Sequence, residues 1–339
     1  MPAYTTVLLT GVTGYIGSHT TIQLLNRGYR VIGTLRSSNR IEEIRQTLAI
    51  HTPYIDQLEL QVADLSRSED WPPLVAQANA IMHIASPVPL KRPKDENSVI
   101  QPAMQGVEYI FQAAQQAGVS RIILTSSIAA ACYGKERFKT FTEEDWSDPE
   151  NKKDHSAYTR SKTYAERLAW DFAKESDGSI QLTTILPGLV IGPVLEKDYG
   201  VSATLIKRLM DGSTPAMPKL GIPMVDVRSV AELHVLALEQ EASIGHRIFA
   251  TDQFTYLHEV AETLRIAFPD YRIPKMRVPD WLLHLAALFD KELSQVKFEI
   301  NAERRTDNQK ARELLAWRPI PLERSILDTA QSMIHHGIV

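Results

Sequence analysis

The strongest constraint in this 339-residue chain lies near its start. There an apolar run, Val7–Thr10, passes without a spacer into Gly11, Gly14 and Gly17 and then into the amphipathic stretch Tyr15–Asn26. Glycine permits a tight turn and close backbone approach, and the N–H groups at a helix start favour a phosphate. Strand, glycine turn and helix in this order predict a dinucleotide-binding βα unit, with the spacing GxxGxxG rather than the commoner GxGxxG.

The same alternation continues. Short apolar runs at Arg30–Leu35, Leu58–Val62, Ala80–Ile84, Arg121–Thr125 and Gln181–Leu186 are separated by helix-like stretches at Arg40–Ala49, Val99–Ala117 and Ala157–Glu175. This predicts an α/β fold: a Rossmann-type, doubly wound parallel sheet buried on both faces. From Pro187 to Pro223 prolines and glycines cluster around a helix-like Ser202–Met210, which predicts a smaller, loop-rich C-terminal substrate lobe rather than another layer of sheet. Helical patterns return at Arg228–Glu239, Tyr256–Ala267 and Ile326–His335. The expected division is residues 1–186 for dinucleotide binding and catalysis and 187–339 mainly for substrate, with about 224–254 returning to the first domain.

Composition narrows the partners. A hydrophobic fraction of 44%, a charged fraction of 23% and a net charge of −4 describe a globular chain with no basic field for nucleic acid or an anionic membrane. The one cysteine, Cys132, excludes an internal disulfide framework and a Cys-rich metal site, reads as a buried small hydrophobe, and fits a cytoplasmic location. No run is long enough to span a bilayer. Trp281–Phe289 has the spacing of a core helix, oligomer seam or lid; Glu143–Asp145 reads as a helix start around Trp146; His335 and His336 read as a solvated tail; and a monomer or homodimer is expected.

The end of the second predicted strand selects the cofactor. A site for NAD would place a carboxylate there for the ribose 2′-hydroxyl, but the chain carries Arg36 and Arg40, whose guanidinium groups suit a 2′-phosphate. NADP(H) is therefore expected, with no metal.

Farther on, Tyr158 and Lys162 stand four apart on one face of a helix that should start near Ser156, and the strand Arg121–Thr125 ends in Ser126 and Ser127. A phenol is a poor acid–base group near neutrality unless a neighbour tunes it, and an ammonium can do so.

These residues resemble the extended short-chain dehydrogenase/reductase superfamily, nearest to its dihydroflavonol reductase-like branch, which also holds microbial aldehyde, methylglyoxal and ketone reductases. The likeness rests on Thr10 to Gly17, Asp64 with Leu65, Thr125 to Ser127, and Tyr158 with Lys162. It extends to His83 to Pro87, Thr142 to Ser147, Pro187 to Pro193 and Val225 to Ala231. The resemblance implies that Tyr158 protonates the carbonyl oxygen, that Lys162 tunes the tyrosine and holds the nicotinamide ribose, and that Ser127 rather than Ser126 bonds the same oxygen. It further implies cofactor contacts from Gly11, Thr13, Gly14, Tyr15, Ile16 and Gly17, from Thr125, Tyr158 and Lys162, from Asp64 and Leu65 at the adenine, from Ala85 and Ser86, and from Pro187, Gly188 and Val190 at the nicotinamide.

Two departures bear on substrate. Plant flavonoid reductases carry an asparagine five residues beyond the catalytic serine, where this chain has Cys132. Cinnamoyl-CoA reductases surround their tyrosine with a different string from His155, Ser156 and Ala157. The expected substrate is a small aldehyde or ketone in a pocket walled by Val88, Ile128, Tyr199 and Met224. The other functions to be weighed are a nucleotide-sugar epimerase or dehydratase, a steroid-type dehydrogenase, and a cofactor-binding sensor or scaffold.

Overall fold

The structure, a computed structural model, describes residues 5–88, 93–197, 199–214, 216–278 and 299–339. Among them, seven parallel strands form one sheet: β1 (Thr6–Thr10), β2 (Arg30–Leu35), β3 (Leu58–Val62), β4 (Ala80–His83), β5 (Arg121–Thr125), β7 (Gln181–Pro187) and β10 (Arg247–Ala250). Their order across the sheet is β10-β7-β5-β4-β1-β2-β3.

The apolar runs inside the sheet become strands because both faces are covered, whereas the edge strand β3 buries Leu58 and Leu60 and leaves Glu59 and Gln61 partly exposed. In β1, Val7 and Leu9 enter one core cluster while Leu8 enters another, each fully buried, as the two-residue strand period requires. The first cluster lies under α1 (Tyr15–Asn26), α2 (Ile41–Ala49) and α7 (Val227–Glu239). The second lies under α3 (Trp71–Val75), α4 (Asn97–Ala117) and α5 (Ala157–Glu175). Strand order reverses between β1 and β4, which leaves a crevice at their carboxyl ends where such sheets bind ligands.

The second lobe differs from its sequence reading. It contains a three-stranded sheet of β8 (Leu189–Ile191), β9 (Gly221–Asp226) and β11 (Gln253–Tyr256), in the order β11-β9-β8. Against it pack α6 (Gly200–Met210), α8 (Leu257–Ala267) and α10 (Leu322–His335) around Met224, Ile206, Leu264 and Met333. Proline and glycine sit inside these strands because Pro223 pairs opposite Phe254 and Gly221 lies beneath the Phe254 ring, where a Cβ would come within 2.4 Å of Cζ.

The helix expected around Trp146 is absent. The carbonyls of Glu143 and Asp145, which would begin its hydrogen-bond ladder, accept instead from Arg247 Nη1 at 2.8 and 2.5 Å. A parallel pair of β6 (Phe138–Phe141) and β12 (Glu303–Thr306) joins the late chain to the loops above the sheet, with α9 (Gln309–Leu315) following. Trp281–Phe289 lies outside the described residues. Among the described residues no helix is long and apolar enough to cross a membrane.

Candidate active site

The glycine turn is built for close approach. Gly11 takes φ +77°, and its N–H and that of Val12 donate to the Thr34 carbonyl at 3.1 Å each. A Cβ on Gly17 would lie 2.0 Å from the Gly11 oxygen, so only glycine fits there. No side chain caps α1 and no acid occupies its first turn, which leaves its N-terminal N–H groups to a diphosphate. Ala85 crosses directly over Gly11, within about 3.0 Å of where a Cβ would stand, and Ser86 follows it half-buried. Thr13 and Ile16 are half-buried at the same turn. The residues present thus fit a dinucleotide. Tyr15 turns another way: its hydroxyl donates to the Gly192 carbonyl at 2.5 Å and ties α1 to the second lobe.

The two arginines beyond β2 have different surroundings. Arg40 is paired with Glu196 at 2.8 Å and Glu43 at 3.1 Å, whereas Arg36 is exposed beside Asp64. The Asp64 carboxyl is held below the usual range mainly by hydrogen bonds from Ser66, with help from the Arg36 charge. Leu65 packs on α4 against Gly106.

Tyr158 stands in the first turn of α5 because the helix has a capping box. Ser156 Oγ accepts from the Thr159 N–H at 3.2 Å, and Thr159 Oγ1 accepts from the Ser156 N–H at 2.8 Å. Lys162 follows one turn later and donates from Nζ to the Thr125 carbonyl at 3.1 Å. The two serines after β5 diverge. Ser127 lies beside the Tyr158 phenol and its Oγ accepts from the Ala129 N–H at 3.1 Å, while Ser126 donates to Glu166 Oε2 at 2.6 Å.

Burial pushes the Tyr158 phenol above its ordinary range, and Ser127 pulls it back. Burial draws Lys162 down to about 8, opposed by the charge of Glu166. His83, at the end of β4, falls to about 3 through burial and the nearby Lys162. Its tautomer follows from its neighbour: Thr10 Oγ1 already accepts from the N–H groups of Ile84 and Ala85, so it donates to His83 Nδ1 at 2.8 Å. On the other side His234 Nδ1 donates to the Val230 carbonyl, leaving Nε2 to accept from Thr125 Oγ1 at 2.7 Å.

Tyr158, Lys162, Ser127 and Thr125 therefore share the carboxyl end of β5 with the glycine turn two strands away. Pro187 ends β7, and Gly188 is pressed against β9, where a Cβ would lie 2.3 Å from the Pro223 oxygen. Val190 is a buried core residue of β8. Of the expected pocket walls, Ile128 packs in one cluster with Tyr158, Ile222 and Phe249, while Met224 and Tyr199 belong to the core of the second lobe and Val88 is exposed. Cys132 is fully buried in the Tyr158 cluster.

Glu166, Arg247, His83 and His234 escaped the functional reading. Glu166 alone had a signal: it stands four and eight residues after Lys162 and Tyr158 on one helix face.

Comparison with known proteins agrees with this fold. The profile of the NAD dependent epimerase/dehydratase family matches residues 7–250. An uncharacterised oxidoreductase of Schizosaccharomyces pombe is 34% identical over 282 residues, 78% of this chain and 82% of that protein. A cinnamoyl-CoA reductase of Medicago truncatula is 32% identical over 281 residues, 81% of this chain and 84% of the relative. The crystal structure of the yeast methylglyoxal/isovaleraldehyde reductase complexed with NADPH superposes with a TM-score of 0.80 at 26% identity, covering 98% of this chain and all of that one. The chain belongs to the NAD dependent epimerase/dehydratase family, and within it to the extended short-chain dehydrogenase/reductases of the dihydroflavonol reductase-like branch.

Proposed function

We propose that this chain is an NADPH-dependent reductase that converts a small aldehyde or ketone to its alcohol, with Tyr158 as the acid, Ser127 as its partner at the carbonyl oxygen and Lys162 as the cation beside them. What carries the reading is the phenol of Tyr158, buried beside Ser127 and set one helical turn before a buried lysine. The NADPH relatives and the glycine turn support the cofactor, and Arg36 supports its 2′-phosphate.

Bound NADPH would supply the hydride. Gly11, Gly14, Gly17 and the start of α1 would hold its diphosphate, Arg36 and Arg40 its 2′-phosphate, and Lys162 its nicotinamide ribose. The chain's own residues do the rest. The Tyr158 hydroxyl and the Ser127 hydroxyl meet the carbonyl oxygen, and the phenolic proton passes to that oxygen as the carbonyl carbon is reduced. Burial keeps the phenol in its neutral, proton-bearing form, and Ser127 eases release of the proton. General acid catalysis of this kind is worth about 10²–10⁴ in rate. Ile128, Ile222 and Phe249 beside the phenol favour an apolar substituent on the substrate.

The test is an NADPH-oxidation screen over aliphatic aldehydes, aryl aldehydes, dicarbonyls, ketones and a CoA thioester, with Tyr158→Phe as the blank. The expected outcome is turnover of at least one free carbonyl class, lowered about 10²-fold or more in the variant while NADPH affinity holds. A variant that binds NADPH and keeps full activity overturns the assignment. Tightly copurified NAD without net NADPH oxidation favours epimerase chemistry.

A further inference from the structure

Beyond Lys162, α5 carries an acid with an unusual number of partners. Glu166 is 1% exposed, and its carboxylate accepts from Ser126 Oγ at 2.6 Å, Thr184 Oγ1 at 2.7 Å, Arg247 Nε at 2.8 Å and Trp170 Nε1 at 3.3 Å. Arg247 is fixed in turn by the carbonyls of Glu143, Asp145 and Ala130, with the Trp146 ring centroid 3.7 Å from its guanidinium carbon. An ion pair held only for stability needs no such scaffold, since apolar residues of like volume do as well.

The scaffold faces the lysine. Glu166, Lys162, Ser126, Thr125 and His83 line one cavity of about 10 Å³, the size that admits a single water. Ammonium and carboxylate thus line the same small cavity from one face of α5, one helical turn apart, and the Glu166 charge favours the ammonium. Among the described residues the other groups around Lys162 offer it no anion. His83 from β4 and His234 from α7 are neutral, Tyr158 is a neutral phenol, Arg247 from β10 is spent on Glu166, and α4 contributes Ala103 and Val107.

Resting on the role of Lys162 given above, we propose that Glu166, clamped by Arg247, is a positioning residue that keeps Lys162 in its ammonium form during turnover. An opposite charge within ~4–6 Å favours the charged state by about 1–3 pH units, so its removal lets the lysine lose its proton at lower pH. Burial has already brought Lys162 to about 8, which leaves little margin.

The test is the pH profile of kcat and kcat/KM for Glu166→Gln against wild type. The alkaline limb is expected to move down by about one pH unit, giving a roughly tenfold loss near pH ~8.5 and near-normal activity near pH ~6, while Glu166→Asp restores the limb. A limb that stays in place, or a uniform loss at every pH, overturns the proposal. Should Glu166→Gln fail to fold because Arg247 is left unpaired, the pair Glu166→Gln with Arg247→Met is compared with Arg247→Met alone, so that only the carboxylate charge differs between them, and is read by the same limb. Lys162→Met and Tyr158→Phe are assayed beside them. If either keeps full activity, the underlying reading fails; if both are inactive and the limb does not move, only the role of Glu166 fails.

Discussion

Arg36 and Arg40 look equivalent in the sequence, four residues apart beyond the second strand, yet their surroundings divide them. Arg40 already spends its charge on Glu196 and Glu43, and Glu196 lies so far along the chain that no local spacing could reveal it. Arg36 is exposed at the same crevice edge with Asp64 beside it. A charge-assisted bond to phosphate is worth about 1.5–3 kcal/mol, or roughly 10–100-fold in affinity. Arg36→Ala is therefore expected to raise the KM for NADPH at least about tenfold and leave that for NADH nearly unchanged, while Arg40→Ala raises the NADPH value less than about threefold. Steady-state kinetics with both cofactors checks this, and equal effects of the two substitutions would show that the carboxylates around Arg40 do not matter.

At the scale of elements, what was legible follows from periodicity. The inner strands of the main sheet are largely apolar because both faces are covered, so β1, β2 and β5 stand where their runs lie, as does the half-covered edge strand β3, and α1 and α5 begin at a glycine turn and a serine cap that local sequence declares. β9 was hidden because Pro223 and Gly221 break the pattern of a strand, and the turn at Glu143–Asp145 because its carbonyls are claimed by Arg247 from a strand about a hundred residues later. The same long reach explains why Glu166 was invisible as part of the site. Arg247 ties β10, the loop before Trp146 and α5 into one unit through a nearly dry ion pair with Glu166. Arg247→Met leaves that carboxylate buried without its counter-charge, an expected loss of about 3–5 kcal/mol seen as a fall in the urea midpoint. Adding Glu166→Gln is expected to recover most of it. A midpoint unmoved by Arg247→Met would mean that the pair contributes nothing to holding the three elements together.

For the whole molecule the same buried polarity sets a limit at low pH. His19, His83 and His234 are each less than a tenth exposed, and each is held neutral: burial takes them to about 4, 3 and 4. They sit in different parts of the molecule, His19 joining α1 to the Pro193 carbonyl and the others flanking the crevice from β4 and α7. In the unfolded chain they titrate near ~6.5, so below that pH the unfolded state binds protons that the folded state refuses. Stability is then lost as pH falls through the window between the unfolded and folded values, by about 2–3 kcal/mol for each histidine by pH ~4.5. Burial also draws down His51, His155 and His258, which add to this slope, and raises the carboxyls of Glu143, Asp252 and Glu299, which oppose it, so the informative quantity is the change on removing one histidine. Urea unfolding from pH ~6.5 to ~5 is expected to show the histidine contribution as a difference between variants: His234→Gln, which keeps an acceptor for Thr125, is expected to lower the loss of stability with falling pH by about one proton. A slope unchanged by the substitution would show that His234 is protonated in the folded protein as readily as in the unfolded chain.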